Sequence, residues 1–179
     1  MAQPFFTIGH SNRSLEDFIA LLREAQVACL VDIRKMPRSR AQPQFDGDGL
    51  GAALAEHGIA YLHLAALGGL RGRTAGVPPG RNGLWRNPSF HRYADHAGTP
   101  AFREGLGQLL ALGQDRRCAL MCAEAVWWRC HRRIVADHLL ARGQAVFHIM
   151  APGRMEPARL TPGAVVDADG DVRYPPALP

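Results

Sequence analysis

Short apolar runs that alternate with stretches of helical spacing constrain this chain more than any other feature. Residues 5–8, 29–33, 60–64, 118–122 and 145–149 are too short for buried helices and are bounded by turn or polar residues, so they read as strands. The segments between them have a different period. Ser14 with Asp17 three residues on makes a capping start, and Leu15, Phe18, Ile19 and Leu22 follow at helical spacing. A second helix is predicted over 49–57, with Leu50 and Leu54 one turn apart and Gly58 as its stop. Helical pattern resumes over 88–96 and again after Thr99, an N-cap followed by Pro100 at the first helical position. A last helix is expected over 130–142, ending at Gly143.

Strands alternating with helices predict an α/β fold: a single domain with a mostly parallel open sheet of about five strands, covered by helices on both faces. Residues 1–150 would form this domain. Residues 151–179 form a tail packed on it, in which Val165 and Val166, then Asp169-Gly170, then Val172 suggest a small hairpin with a tight two-residue turn. The stretch 67–88 is rich in glycine, proline and arginine and reads as a long loop, functional or mobile.

A chain of 179 residues fits one such domain, and 47% hydrophobic with 21% charged residues is an ordinary globular balance. No apolar run approaches a membrane span and residues 1–7 are too short for a signal peptide, so a cytoplasmic protein without a membrane partner is expected. Its four cysteines should then be reduced thiols. The formal charge is +5, and only Lys35 is a lysine, so nearly all the positive charge is arginine. Either a GC-rich coding bias or a choice of guanidinium for bidentate contact with phosphate or carboxylate accounts for that skew, and only the placement of particular arginines decides.

In open parallel sheets, ligands collect beyond the carboxyl ends of the strands. There this sequence places Gly9-His10-Ser11, Asp32 and Arg34 with Arg38-Ser39 beyond, Leu67-Gly68-Gly69, and Cys122-Ala123-Glu124, all facing one rim. The last is followed after five residues by Cys130-His131-Arg132-Arg133 at the mouth of a helix. Helix starts leave N–H groups unsatisfied and favour an anion, and two arginines there oppose the dipole unless something negative binds. The same field would lower the pKa of Cys130 and make a thiolate available, although a cysteine so placed also serves as a small core residue.

Glu124 is an acid/base candidate, or else a salt-bridge partner of Arg132 or Arg133. Asp32 either acts on a proton or pairs with Arg34. His10 is poised for proton transfer or buried as structure. Trp127 and Trp128 could stack on a base or sugar, or pack in the core. Cys122, Cys130, His131 and His10 are zinc ligands by type, but the gap between the cysteines lacks the short pairing of structural zinc sites. The tyrosine-phosphatase pattern fails as written, because the first arginine after Cys122 is Arg129, one residue too far.

Together, Thr7-Ile8-Gly9-His10-Ser11, Val31-Asp32-Ile33-Arg34 with Pro37 and Ser39, Leu67-Gly68-Gly69, and Cys122-Ala123-Glu124 with Cys130-His131-Arg132 resemble the uncharacterised family named domain of unknown function 488. The resemblance spans about residues 5–150, with Asp-Ile-Arg where the family commonly has Asp-Val-Arg. It implies a compact α/β domain of bacteria and archaea with a polar pocket, and implies no particular reaction.

The expected function is that of an enzyme acting on a phosphate-bearing or other anionic substrate, such as a nucleotide or nucleic acid. Arg34, Arg38, Arg132 and Arg133, with Ser11, Ser39, Gly68, Gly69 and His131, would hold the anion; Glu124 or His10 would move the proton, with Asp32 nearby and Cys130 as an optional nucleophile. No cofactor is expected. The alternatives are a non-catalytic module that binds nucleotide or nucleic acid through the arginines of 71–92, and a thiol-redox or metal protein using Cys122 and Cys130.

Overall fold

The computed structural model describes residues 2–179. Five helices and eight strands follow the expected alternation: β1 (Phe5–Gly9), α1 (Leu15–Glu24), β2 (Cys29–Asp32), α2 (Gly47–Ala55), β3 (Ala60–His63), α3 (Pro88–His96), α4 (Pro100–Asp115), β4 (Cys118–Cys122), α5 (Arg132–Ala141), β5 (Val146–Ala151), β6 (Arg154–Pro157), β7 (Val165–Val166) and β8 (Val172–Arg173). Local chemistry sets the helix starts. Ser14 Oγ accepts from the Asp17 N–H at 3.0 Å, and Thr99 Oγ1 from that of Phe102 at 3.3 Å with Pro100 opening the first turn.

The sheet has six strands in the order β3-β2-β4-β1-β5-β6, parallel throughout except that β6 runs antiparallel against β5. That sixth strand was not anticipated, because Arg154, Glu156 and Pro157 carry no apolar run and lie on an edge. The tail hairpin forms between β7 and β8, but its tip differs from expectation. Asp167 N–H donates to Asp171 O, leaving three residues in the turn, with Gly170 in the left-handed region at φ 86°. A glycine at that place supports the three-residue turn rather than the two-residue one.

Both faces of the sheet are covered. α1 and α2 press Phe18, Leu22, Leu50 and Leu54 against Ile8, Leu30 and Met121. On the opposite face α3, α4 and α5 bring Tyr93, Phe102, Leu106 and Ile134 against Val31 and Leu120. The period of two in β4 sends Leu120 and Cys118 to one face and Ala119 and Met121 to the other. Since the connections leaving β1 and β4 depart to opposite faces, a crevice opens at the carboxyl ends of these adjacent strands.

Candidate functional site

Cys122 is the last residue of β4 and lies in that crevice. The chain beyond it is stitched to the end of β1: His10 N–H donates to Cys122 O at 2.9 Å, and Ser11 N–H to Ala123 O at 3.0 Å. The two backbones pass so closely that a Cβ built on Gly9 would lie 1.6 Å from the Glu124 carbonyl oxygen. Residues Trp127–Arg129 then form a single 3-10 turn, and α5 begins only at Arg132. Cys130 is therefore in extended backbone ahead of the helix, two residues later than the sequence pattern placed the helix start.

Arg132 is wholly buried. Its Nη1 donates to Cys122 Sγ at 2.8 Å and to Glu124 O at 2.7 Å, and its Nη2 to Ala125 O at 3.2 Å. Among the described residues no carboxylate pairs with this guanidinium, and its Nε has no partner. A buried guanidinium without a counterion costs several kcal/mol on the order of magnitude seen for isolated ions, and the one group against it that can become an anion is the Cys122 thiol. Burial pushes the Cys122 thiol up, but the neighbouring Cys130 thiol, the Arg132 charge and the Glu124 backbone outweigh it and bring it down to about 7.

The two thiols titrate as a pair, so Cys130 moves the other way. Burial raises it well above an ordinary thiol, and the Cys122 sulfur beside it raises it further. The expectation of a depressed Cys130 is thus corrected: burial and the adjacent Cys122 sulfur outweigh the lowering that Arg132 exerts on it. His131 completes the arrangement. Its Nε2–H donates to Ile33 O at 2.7 Å, which leaves Nδ1 as an acceptor 3.5 Å from Cys130 Sγ, and burial holds the ring neutral with its pKa lowered to about 4.

The remaining expected residues divide between cleft and scaffold. Asp32 is fully buried and accepts from Arg34 N, Nε and Nη2 and from the Tyr61 hydroxyl, the last at 2.5 Å, so its capacity is taken up by Arg34 and Tyr61. His10 stacks on Phe45; its Nδ1–H is spent on Ser11 O at 2.8 Å, leaving Nε2 to accept from Arg34 Nη1 at 3.4 Å. Arg34 and the exposed Arg38 line the cleft, as does Glu124, whose carboxylate is exposed. Neither salt bridge foreseen for Glu124 forms. Arg132 takes its carbonyl instead, and Arg133 lies outside the cleft, donating to Thr161 Oγ1 and resting on the Trp85 and Trp127 rings. Trp127 stacks on His148, while Trp128 is exposed.

Ser39 serves a turn, accepting from Gln42 N–H and donating its own N–H to Asp46. Ser11 is half-buried, is not among the residues lining the cleft, and lies in the left-handed region at φ 48°. The glycines permit close packing: a Cβ on Gly69 would stand 2.9 Å from His131 Nδ1, and one on Gly68 3.0 Å from Lys35 Cα.

The cleft holds about 530 Å³. Cys122 and Cys130 are at its floor, and Arg34, Lys35, Arg38 and Arg129 give it positive charge against the single carboxylate of Glu124. Part of its lip is apolar and had no sequence signal: Met36 and Leu70, 63% and 78% exposed, line it together with Phe90. Leu70 is held at φ 55° because Arg71 clamps Gly68 O and Ala65 O and Lys35 Nζ donates to Leu70 O. Keeping an exposed leucine in that conformation costs on the order of 1 kcal/mol, and such strain concentrates where a ligand is held. Among the described residues no three His, Cys, Asp or Glu side chains converge as metal ligands, and no helix is long and apolar enough to cross a membrane.

A family model described as Domain of unknown function DUF488 matches residues 14–139. No curated protein and no solved structure matches the chain.

Proposed function

We propose that this chain, which belongs to the Domain of unknown function DUF488 family, is a thiol enzyme that acts on a phosphate-bearing or other anionic substrate in the cleft at the end of β4. The observation that carries this reading is the contact of 2.8 Å between a buried, otherwise uncompensated guanidinium and the Cys122 sulfur. A thiolate held this way is available at neutral pH, and the thiolate is the nucleophilic form.

The basic groups on the walls suit the rest of the site to an anion. Arg34 is presented rigidly by Asp32, and Arg38, Lys35 and Arg129 add charge that bidentate or ionic contacts to phosphoryl oxygens would use. For a phosphate ester, Cys122 Sγ would attack phosphorus, forming an S–P bond as the P–O bond to the leaving group breaks. Glu124, the one carboxyl group lining the cleft, would exchange a proton with that leaving oxygen, and then with the water that hydrolyses the thiophosphate. His10 and Asp32 act as positioning residues for Arg34, and Arg132 as the counter-charge of the nucleophile. The apolar lip of Met36 and Leu70 fits a substrate whose anionic end is joined to an apolar or aromatic group.

The test is protection of the thiol. Iodoacetamide labelling of Cys122 should slow severalfold when inorganic phosphate or tungstate is present, and 4-nitrophenyl phosphate should be hydrolysed by the wild type and not by Cys122→Ser. If neither oxyanion protects the thiol at any concentration and Cys122→Ser leaves turnover unchanged, the reading is wrong.

A further inference from the structure

We infer that Cys130 is a resolving thiol, which closes a reversible disulfide on Cys122 when a hydroperoxide oxidises that sulfur. The inference shares the reactive Cys122 sulfur with the reading above, but not its anionic substrate.

The arrangement rests on two neighbours of the two sulfurs, Arg132 and His131. Arg132 touches both, with its backbone N–H 3.4 Å from Cys130 Sγ and its Nη1 2.8 Å from Cys122 Sγ. Both sulfurs thus lie against one residue and line the same cleft, and both are free thiols. Cys130 also has a hydrogen-bond acceptor that orients its thiol. Since His131 Nε2–H is committed to Ile33 O, the Nδ1 lone pair faces Cys130 Sγ at 3.5 Å. Both sulfurs border the cleft, so a molecule as small as hydrogen peroxide reaches them from solvent. Cys29 and Cys118, the other two cysteines, lie opposite one another at the far end of β2 and β4, away from the cleft.

The chemistry balances in two steps. The Cys122 thiolate attacks one oxygen of hydrogen peroxide; the O–O bond breaks, an S–O bond forms, and the departing hydroxide takes up a proton to leave as water. Cys122 is then a sulfenic acid and the peroxide has been reduced by two electrons. The Cys130 sulfur attacks the Cys122 sulfur while its proton, oriented by the hydrogen bond to His131 Nδ1, passes to the departing oxygen, and the S–O bond breaks as the second water leaves. A resolving thiol in this place halts Cys122 short of the irreversible sulfinic stage, and a reducing thiol restores both residues.

The experiment uses the whole protein, treated with hydrogen peroxide, blocked with N-ethylmaleimide and digested with trypsin, which separates Cys122 from Cys130 by cleaving after Arg129. Peptides 118–129, with Cys118 carrying one N-ethylmaleimide, and 130–132 should be found joined, about 2 Da lighter than their sum and released by dithiothreitol, with fragmentation assigning the link to Cys122. In Cys130→Ser, Cys122 should instead gain about 32 Da that dithiothreitol does not remove. A His131→Gln variant should still react with peroxide but form the link severalfold more slowly. The inference is overturned if wild-type Cys122 overoxidises as fast as in Cys130→Ser, or if the link joins Cys29 to Cys118. A disulfide without oxyanion protection would sink only the substrate reading, and protection without a disulfide only this one.

Discussion

Arg132 donates to the Cys122 sulfur over 2.8 Å from a position with no access to solvent. Neither residue makes sense alone. The guanidinium needs an anion that no nearby carboxylate supplies, and the thiol, buried as it is, would otherwise hold its proton more tightly than a free cysteine.

The pH dependence of Cys122 alkylation tests this pair directly. The second-order rate should reach half its plateau near pH 7, the value to which the thiol is lowered. In Arg132→Gln the midpoint should rise past that of an ordinary thiol, which cuts the rate at pH 7 by roughly tenfold or more. Circular dichroism on the same sample separates this effect from unfolding. A midpoint unmoved by the substitution would mean that the ion pair does not exist.

Stability should fall as pH drops through the histidine range. Burial lowers His138 to about 3 and His148 to about 4, so both stay neutral in the folded chain while the unfolded chain binds protons below about pH 6.5. Their contribution is complete above that pH and is lost progressively toward the folded values, because the unfolded state there binds more protons. By pH 5 each ring should have cost roughly 1–2 kcal/mol, read as a lower urea midpoint than at pH 7. His148→Gln should flatten part of that slope, since Thr7 Oγ1 keeps a polar partner at the same place.

Asp32 should behave as structure rather than as an acid. Asp32→Asn leaves Arg34 buried with half its partner, and breaking a buried pair of this kind costs about 3–5 kcal/mol in a denaturation curve. Tyr61→Phe removes one of the hydrogen bonds to the same carboxylate and should cost only about 1 kcal/mol. An Asp32→Asn protein of full stability would show that the pair is dispensable and reopen a proton-transfer role for this residue.

At Leu70, stability and substrate use should separate. Leu70→Gly relieves the φ of 55° and leaves thermal stability unchanged or higher by up to about 1 kcal/mol. It also removes most of the apolar lip, so KM for 4-nitrophenyl phosphate should rise severalfold while KM for acetyl phosphate stays put. Equal effects on both substrates would remove Leu70 from recognition.

Local signals carried most of the fold. Ser14, the Thr99-Pro100 pair and the apolar runs each act through near neighbours in the chain, and each produced the element expected at that place. β6 escaped because an exposed edge strand needs no apolar pattern, only the free edge of β5. The four rim motifs were legible for the same local reason, as each follows a strand. Which cysteine carries the low pKa was not, because it depends on a guanidinium folding back from α5 onto the end of β4. A sequence shows Arg132 as a charge at a helix start and gives no sign that it is interred. The last apolar residue of the run 118–122 was the available clue: a cysteine ending a central strand points into the crevice. Met36 and Leu70 gave no clue at all, since their exposure comes from a loop clamped by Arg71 and Lys35.

The missing side chain of Gly9 acts at a distance. The Glu124 carbonyl occupies the space where any other residue would carry its first carbon, and that same carbonyl is what Arg132 grips beside the sulfur. Residue 9 is therefore a spacer of zero thickness between two strands, and its emptiness sets the guanidinium's reach. Adding a methyl group there would push the Glu124 loop outward and slacken the charge on Cys122 without altering a single atom of the reactive residues. Two stretches of chain separated by most of the domain thus behave as one mechanical unit, in which a change to the first is felt as chemistry in the second.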